Sequence, residues 1–499
     1  LAVSLWVAGA AHAQIPCERL PSVSLPHTSI IAAETVAAGP AGPAHCRVVA
    51  VLAPSSDSHI EMELWLPAAG WNGKWEAVGN GGWAGSINTG AMAAALKEGY
   101  ATASTDTGHK SSETPGGSFA LGHPEKLIDY GYRAVHEMAL RSRELIAAYY
   151  GREARFSYWN GCSNGGRQGL MEAQRYPEDF DGIVAGAPAA NWSGRALSSL
   201  WVAQAVHKDD TTYIPPAKYP LLHNAVLRAC DALDGVKDGI LEDPVRCRFD
   251  PAVLRCQDVD GGIPSDGSGC LTTAQVEAAR KIYAAALNSA GQEFYPGLEP
   301  GSELGWATYG GPRPFGIGED FFRFVVFQDP AWSYRSLNFD RDVALAGGLD
   351  HGAINALDPN LRPFVAHGGK LIQYHGWSDP QIPPLHSVQY YGSVVNAMGG
   401  TVGNAGKVQE WYRLFMVPGM QHCGGGSGPN QFNAMAALER WRESGTAPDR
   451  LVAWRVTNNQ MEMTRPLCPY PLVAHYKGVG STNDAANFAC GPAGGDKQQ

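Results

Sequence analysis

Gly161-Cys162-Ser163-Asn164-Gly165 sets a serine between two glycines in the form G-x-S-x-G. A serine hydroxyl attacks a carbonyl carbon at neutral pH only when a base takes its proton and a carboxylate orients that base. The glycines answer a steric need, because a nucleophile raised on a tight strand-to-helix turn leaves no room for side chains two residues to either side. Phe156-Ser-Tyr-Trp-Asn160 reads as the strand before the turn, and residues 167–175 as a helix ending before Pro177. The chain has 15 histidines to serve as base, and two later strand ends narrow the choice. The run 370–374 ends in His375-Gly-Trp-Ser-Asp379-Pro, and the run 412–417 in Pro418-Gly-Met-Gln-His422-Cys-Gly. Each places a reactive group in a loop at the C-terminal end of a strand, the edge where open α/β sheets build their sites. The expected set is Ser163 as nucleophile, Asp379 as acid and His422 as base. His375, directly after its strand, is the rival histidine and is expected to support the site from behind.

Three further patterns surround this set. Cys162 precedes the nucleophile and Cys423 follows the base; a bridge between them would staple the base's glycine-rich loop to the nucleophile's turn. In the chain-entropy model so long a loop contributes ~5 kcal/mol, but the greater value is positional. A tetrahedral intermediate needs two N–H donors. Asn164, after the nucleophile, is one, and Gly82 of the turn Asn80-Gly-Gly82 is the other, with Gly81 as its neighbour. Finally, Asp231-Ala-Leu-Asp234-Gly-Val-Lys-Asp238-Gly-Ile240 packs three carboxylates into a short loop between Cys230 and Cys247. Such oxygens suit calcium, although the EF-hand spacing is missing and an acidic solvated turn is an equal reading of the residues alone.

The elements that must hold these groups alternate. Strands are expected within 48–66, at 74–79, 100–105, 156–160, 183–187, 369–374 and 412–417, and helices at 127–150, 167–175, 386–398 and 432–444. Alternation of this kind builds a mostly parallel sheet covered on both faces. It breaks between about 192 and 361, where turns, cysteines and aromatics crowd into an inserted segment. At 499 residues, 44% hydrophobic and 17% charged, the chain has material for a core and too little charge for disorder. A net charge of -10 without a basic run argues against nucleic acid or anionic membrane as partners. Residues 1–13, an apolar run ending in Ala11-His-Ala13, read as the end of a secretory signal cleaved after Ala13. No other stretch is long enough to span a membrane. The chain's 10 cysteines, with no C-x-x-C pair, fit five disulfides in a secreted or periplasmic protein. Roughly 945 pairings are open to the residues alone.

Gly79-Asn-Gly-Gly82, Gly161-Cys-Ser-Asn-Gly-Gly-Arg167, the Asp-rich loop after Cys230, Gly368-Gly-Lys370, His375-Gly-Trp-Ser-Asp379, Val417-Pro-Gly-Met-Gln-His-Cys423 and Arg465-Pro-Leu-Cys-Pro-Tyr-Pro471 together resemble the tannase and feruloyl esterase family over nearly the whole chain. The resemblance implies an α/β-hydrolase core from 14–191 and 362–499, and a lid domain from 192–361 that holds a structural calcium. It implies side chains of Asp231, Asp234 and Asp238 and carbonyls of Val236 and Ile240 as calcium ligands, with no organic cofactor. It also implies disulfides 17–46, 162–423, 230–247, 256–270 and 468–490. The expected substrate is a small ester of an aromatic acid, hydroxycinnamate and gallate leading. Asn164 stands where the mono(2-hydroxyethyl) terephthalate hydrolase pattern has Glu, which places that ester third. Aromatics from Trp306 to Tyr334 are expected in part over the acyl pocket and in larger part in the lid's own core. Two other classes remain as alternatives: a non-catalytic, calcium-stabilised extracellular binding protein, and acyl transfer to an acceptor other than water. Monomer and dimer are left open.

Overall fold

The computed structural model describes residues 14–40, 42–257, 269–349 and 352–494; the signal segment expected at 1–13 lies outside them. Nine strands form the main sheet: β1 (Thr28–Val36), β2 (His45–Leu52), β3 (Ile60–Pro67), β4 (Lys74–Val78), β5 (Ala101–Thr105), β6 (Phe156–Cys162), β7 (Gly182–Gly186), β8 (Lys370–Gly376) and β9 (Tyr412–Val417). Their spatial order is β1-β2-β3-β5-β4-β6-β7-β8-β9. The β1–β2, β2–β3 and β3–β5 pairings are antiparallel, and from β5 to β9 every pairing is parallel. The chemistry of the strands follows this layout. Gly182-Ile-Val-Ala-Gly186, in the parallel half, is buried throughout, as a strand covered on both faces must be. Edge strand β1 instead mixes exposed and half-buried positions.

Helices Thr89–Lys97, Ala134–Tyr150, Asn164–Arg175 and Ala434–Ser444 accompany the sheet. Gly151 ends the second of these in a left-handed conformation (φ 68°), as its position after Tyr149-Tyr150 implies. The helix expected at 127–150 is interrupted: Pro124–Ile128 is helical, Asp129–Arg133 widens into a π-helical turn, and the α-helix resumes at Ala134. The main core gathers Trp75, Trp159, Phe180, Leu371 and Leu414 around the sheet. Beyond Ser444 the chain adds two hairpins, Leu451–Thr457 with Gln460–Leu467 and Leu472–Tyr476 with Phe488–Pro492.

Between β7 and β8 the inserted segment is mainly helical, with Trp192–Val206, Tyr219–Cys230 and Thr273–Tyr283 its longest helices. One of its apolar clusters joins Trp192, Phe321, Phe322 and Trp332 to Trp83, Phe119 and Tyr130 of the sheet domain's loops. A second gathers Leu222, Ile282, Trp306 and Tyr309. These aromatics pack within the two clusters. The five disulfides join Cys17–Cys46, Cys162–Cys423, Cys230–Cys247, Cys256–Cys270 and Cys468–Cys490, the pairing that the family resemblance implied. Among the described residues no helix is long and apolar enough to cross a membrane.

Candidate active site

The turn from β6 into the helix Asn164–Arg175 carries Ser163 at φ 65° and ψ -120°, a conformation that costs an L-residue energy and that its surroundings must impose. The Ser163 N–H donates to the Gly186 carbonyl at 2.9 Å, and its own carbonyl accepts from Arg167 and Ala189. Three glycines let the backbones close around it. A Cβ on Gly161 would lie 2.6 Å from the Gly165 carbonyl carbon, and one on Gly79 would lie 2.5 Å from the Gly165 Cα. The motif's glycines thus record a close approach of three backbone segments.

Asp379 stands in the loop after β8 and is fully buried. Its Oδ1 accepts from the N–H groups of Gln381 (2.7 Å) and Ile382 (3.0 Å). Its Oδ2 faces His422 Nδ1 at 2.7 Å and His375 Nε2 at 3.1 Å. Burial alone would raise this carboxyl, but the charge of His422 and hydrogen bonds from both histidines hold it far below the usual carboxylate range. With Nδ1 turned to Asp379, His422 keeps Nε2 for proton exchange. His375 is fully buried and also meets the Ile382 carbonyl through Nε2 (3.0 Å) and the Ser387 hydroxyl through Nδ1 (2.7 Å). Each of its ring nitrogens has a partner, so its position beside the acid is structural.

The loops that carry Asp379 and His422 run side by side. Ser378 N–H donates to the Met420 carbonyl at 3.0 Å, and Trp377 N–H to the Val417 carbonyl at 2.9 Å. Past His422 the chain turns through Cys423 at φ 60° and then Gly424, Gly425 and Gly426, all at positive φ. The Cys162–Cys423 bridge, with Cα atoms 6.0 Å apart, ties this loop to the end of β6, next to Ser163. Among the described residues Ser163 and His422 share no direct hydrogen bond; such contacts are often long without substrate.

Asn164 opens its helix, so its N–H has no intrahelical acceptor. Gly82 lies at φ 53°, and Ile317 of the inserted segment reaches within 3.7 Å of where its Cβ would be. That segment also touches the acid loop: Arg195 Nε and the Tyr309 hydroxyl both donate to the Gln381 carbonyl, at 3.0 and 2.5 Å. Arg167, Ser387 and Tyr130 contact the site's residues without having been singled out by sequence. Arg167 lay inside a quoted motif; the other two carried no local signal.

The acidic loop holds its carboxylates partly through its own turns. Asp234 Oδ1 accepts from Val236 N–H, Asp238 Oδ1 from Ile240 N–H, and both Asp231 oxygens from Gly239 N–H. Arg465 pairs with Asp238 Oδ2 at 2.6 Å and faces Glu242 at 3.7 Å. Burial, then the charges of Asp238 and Asp231, push Asp234 up to about 6. Glu242, which sequence did not mark, is buried with one carboxylate oxygen lacking a hydrogen bond. Four carboxylates against one guanidinium, with a buried oxygen that lacks a hydrogen bond, fit a hard dication in donor chemistry. The three aspartates are nevertheless spread apart. Among the described residues, His136, Glu172 and Asp179 form the only such trio with ligand atoms within 4.8 Å of one another.

The family model described as tannase and feruloyl esterase matches residues 46–491. The chain belongs to the tannase and feruloyl esterase family. An uncharacterized esterase of Xanthomonas campestris pv. campestris is 40% identical over 96% of this chain and 92% of its own. A probable feruloyl esterase B-1 of Aspergillus oryzae is 34% identical over 90% of this chain and 84% of its own. The crystal structure of feruloyl esterase B from Aspergillus oryzae superposes with a TM-score of 0.87 at 32% identity, covering 95% of this chain and 99% of that one. The family match thus extends over strands β3 to β9, the inserted segment and the loops that carry Ser163, Asp379 and His422.

Proposed function

We propose that this tannase and feruloyl esterase family member is a secreted serine hydrolase of aromatic carboxylic esters, working through an acyl-enzyme. The observation that carries the reading is the Asp379–His422 pair at 2.7 Å, tied by the Cys162–Cys423 bridge to a serine on a strained strand-to-helix turn. Ser163 Oγ attacks the ester carbonyl carbon while its proton passes to His422 Nε2. Asp379 stabilises the resulting imidazolium and stays ionised throughout. The N–H groups of Gly82 and Asn164 receive the oxyanion; losing one such donor typically costs about 2.7–4 kcal/mol of transition-state stabilisation. The carbon–oxygen bond to the alcohol then breaks, and His422 returns the proton to the departing oxygen. Water, activated by the same histidine, releases the aromatic acid and restores Ser163.

Residues 192–361 serve as the lid, a role supported by Ile317 beside Gly82 and by Arg195 and Tyr309 on the acid loop. In this lid Asp231, Asp234 and Asp238, with carbonyls of Val236 and Ile240, would hold a calcium ion whose contribution is to stabilise the fold. Five disulfides and the small-x-small end at Ala13 support export. The relatives named for feruloyl esters favour hydroxycinnamate as the acyl group, ahead of gallate and the terephthalate half-ester. Hydrolysis of methyl ferulate, methyl gallate and mono(2-hydroxyethyl) terephthalate, with Ser163→Ala as control, tests this. Turnover of an aromatic ester, fastest on methyl ferulate and abolished in the variant, is expected; activity retained by Ser163→Ala would overturn the assignment.

A further inference from the structure

The two residues assigned to the oxyanion hole come from distant parts of the chain, so something must fix one against the other. Gly82 has no side chain to anchor it and sits at φ 53°, a conformation that glycine enters and leaves without steric cost. Its turn is held on one side by Asn80, whose N–H donates to Gln168 Oε1 and whose Oδ1 accepts from Gln168 Nε2, both at 3.1 Å. On the other side the holding group is Tyr130. Its hydroxyl lies 2.9 Å from the Gly82 carbonyl and 3.1 Å from Asn164 Oδ1. One buried hydroxyl proton is thus shared between the two residues whose N–H groups would receive the oxyanion.

The environment of Tyr130 is built to keep that hydroxyl in place. The residue is fully buried on the π-helical turn Asp129–Arg133, a local distortion often found at functional positions. Trp83 and Trp192 pack on its ring, at 5.3 and 5.7 Å between centroids, and the Arg167 guanidinium lies 4.9 Å above it. Arg167 links the same parts by hydrogen bonds: Nε to Asn164 Oδ1 at 2.7 Å, Nη2 to the Tyr130 carbonyl at 3.1 Å and Nη1 to the Gly131 carbonyl at 2.8 Å. With Arg167 donating to Asn164 Oδ1, the Asn164 amide presents an acceptor, not a donor, toward the tyrosine. Burial raises the phenol well above its ordinary value, so the hydroxyl remains a donor across the working pH range.

We infer that Tyr130 is a positioning residue for catalysis, its hydroxyl setting the distance and angle between the Gly82 and Asn164 N–H groups. This rests on the serine-esterase reading above. The hydroxyl's hydrogen-bond partners are the Gly82 carbonyl and Asn164 Oδ1, so its removal is expected to act on the transition state and not on ground-state binding. Small misplacements of a donor cost up to about a hundredfold in rate.

The test is Tyr130→Phe, which keeps the ring, its packing and the cation contact while deleting the hydroxyl. On methyl ferulate, kcat is expected to fall about tenfold to a hundredfold with KM within about twofold and the melting temperature within ~2 °C. Phosphorylation by diethyl p-nitrophenyl phosphate, which develops charge on an oxygen in the same hole, is expected to slow by a similar factor. Tyr391→Phe, deleting another buried hydroxyl, provides the control and is expected to leave kcat unchanged. An unchanged kcat in Tyr130→Phe would overturn the inference, as would a loss in KM alone or one matched by a fall in folded protein. Ser163→Ala, assayed alongside, separates the two claims. If it is inactive while Tyr130→Phe is fully active, only the positioning role fails; if it stays active, the serine reading itself fails.

Discussion

At Asp379 a single carboxylate oxygen meets two histidines, and their other contacts decide which can do chemistry. His375 has both ring nitrogens occupied inside the fold, whereas His422 gives one nitrogen to Asp379 and is partly accessible. Replacing the carboxylate by an amide removes the charge that stabilises the imidazolium and disturbs the tautomer. Asp379→Asn is therefore expected to lose about 10⁴-fold in kcat while still binding substrate, measured by steady-state kinetics on methyl ferulate. The pH dependence has a definite sign. Asp379 is held below its unfolded value of 3.8, so its ionised form contributes stability that is present above that value. This contribution fades only as the pH falls further, toward the lowered folded value. Acid unfolding of Asp379→Asn should consequently lack this component, which comparison of acid melting curves will show.

At the scale of elements, His422 sits on a loop of glycines and positive-φ residues that would wander without its bridge. Replacing both Cys162 and Cys423 by alanine is expected to reduce kcat at least about tenfold, with a lowered melting temperature from the freed chain. Activity retained in full would show that the loop positions itself. How much of this could be read in advance depended on how local each constraint is. The glycines around Ser163 were legible because steric exclusion acts within a few residues, and β8 and β9 because their apolar runs end abruptly at loops. The break at Asp129–Arg133 was not legible. There the chain widens where Gly131 abuts the Ala353 carbonyl, leaving 2.1 Å for a Cβ, a contact that helical periodicity does not record. Edge strand β1 was missed because it is only half covered, and the contacts of Tyr130 and Glu242 because their partners lie far along the chain.

Across the whole molecule, two acidic clusters, one buried around Glu172 and one half-buried at Asp231–Asp238, set how stability answers to conditions. Glu172 is buried with both oxygens lacking hydrogen-bond partners, beside Asp179, which pairs with His136 at 2.6 Å. Burial first, and then the Asp179 charge, push Glu172 well above its ordinary 4.5. The folded state therefore holds this proton more tightly than the unfolded state does. The stability it contributes is full below about pH 4.5 and is lost as the pH rises toward the folded value. Glu172→Gln should thus melt higher than the parent at about pH 8.5 and near it at about pH 4.5, by scanning calorimetry. In the acidic loop, chelation by EGTA is expected to lower the melting temperature by about 5 °C or more, with calcium restoring it and magnesium failing to do so. No change on chelation would leave Asp231, Asp234 and Asp238 as a solvated turn.

Every catalytic role proposed for Asp379, His422, Gly82, Asn164 and Tyr130 depends on Ser163 being the nucleophile. The most direct measurement is the intact mass and peptide map of the protein after stoichiometric reaction with diethyl p-nitrophenyl phosphate, with methyl ferulate hydrolysis followed in parallel. One diethylphosphoryl group is expected, on Ser163, its extent equal to the fraction of activity lost, and none in Ser163→Ala. An adduct on another residue that abolishes activity, or full labelling of Ser163 with activity intact, would contradict it.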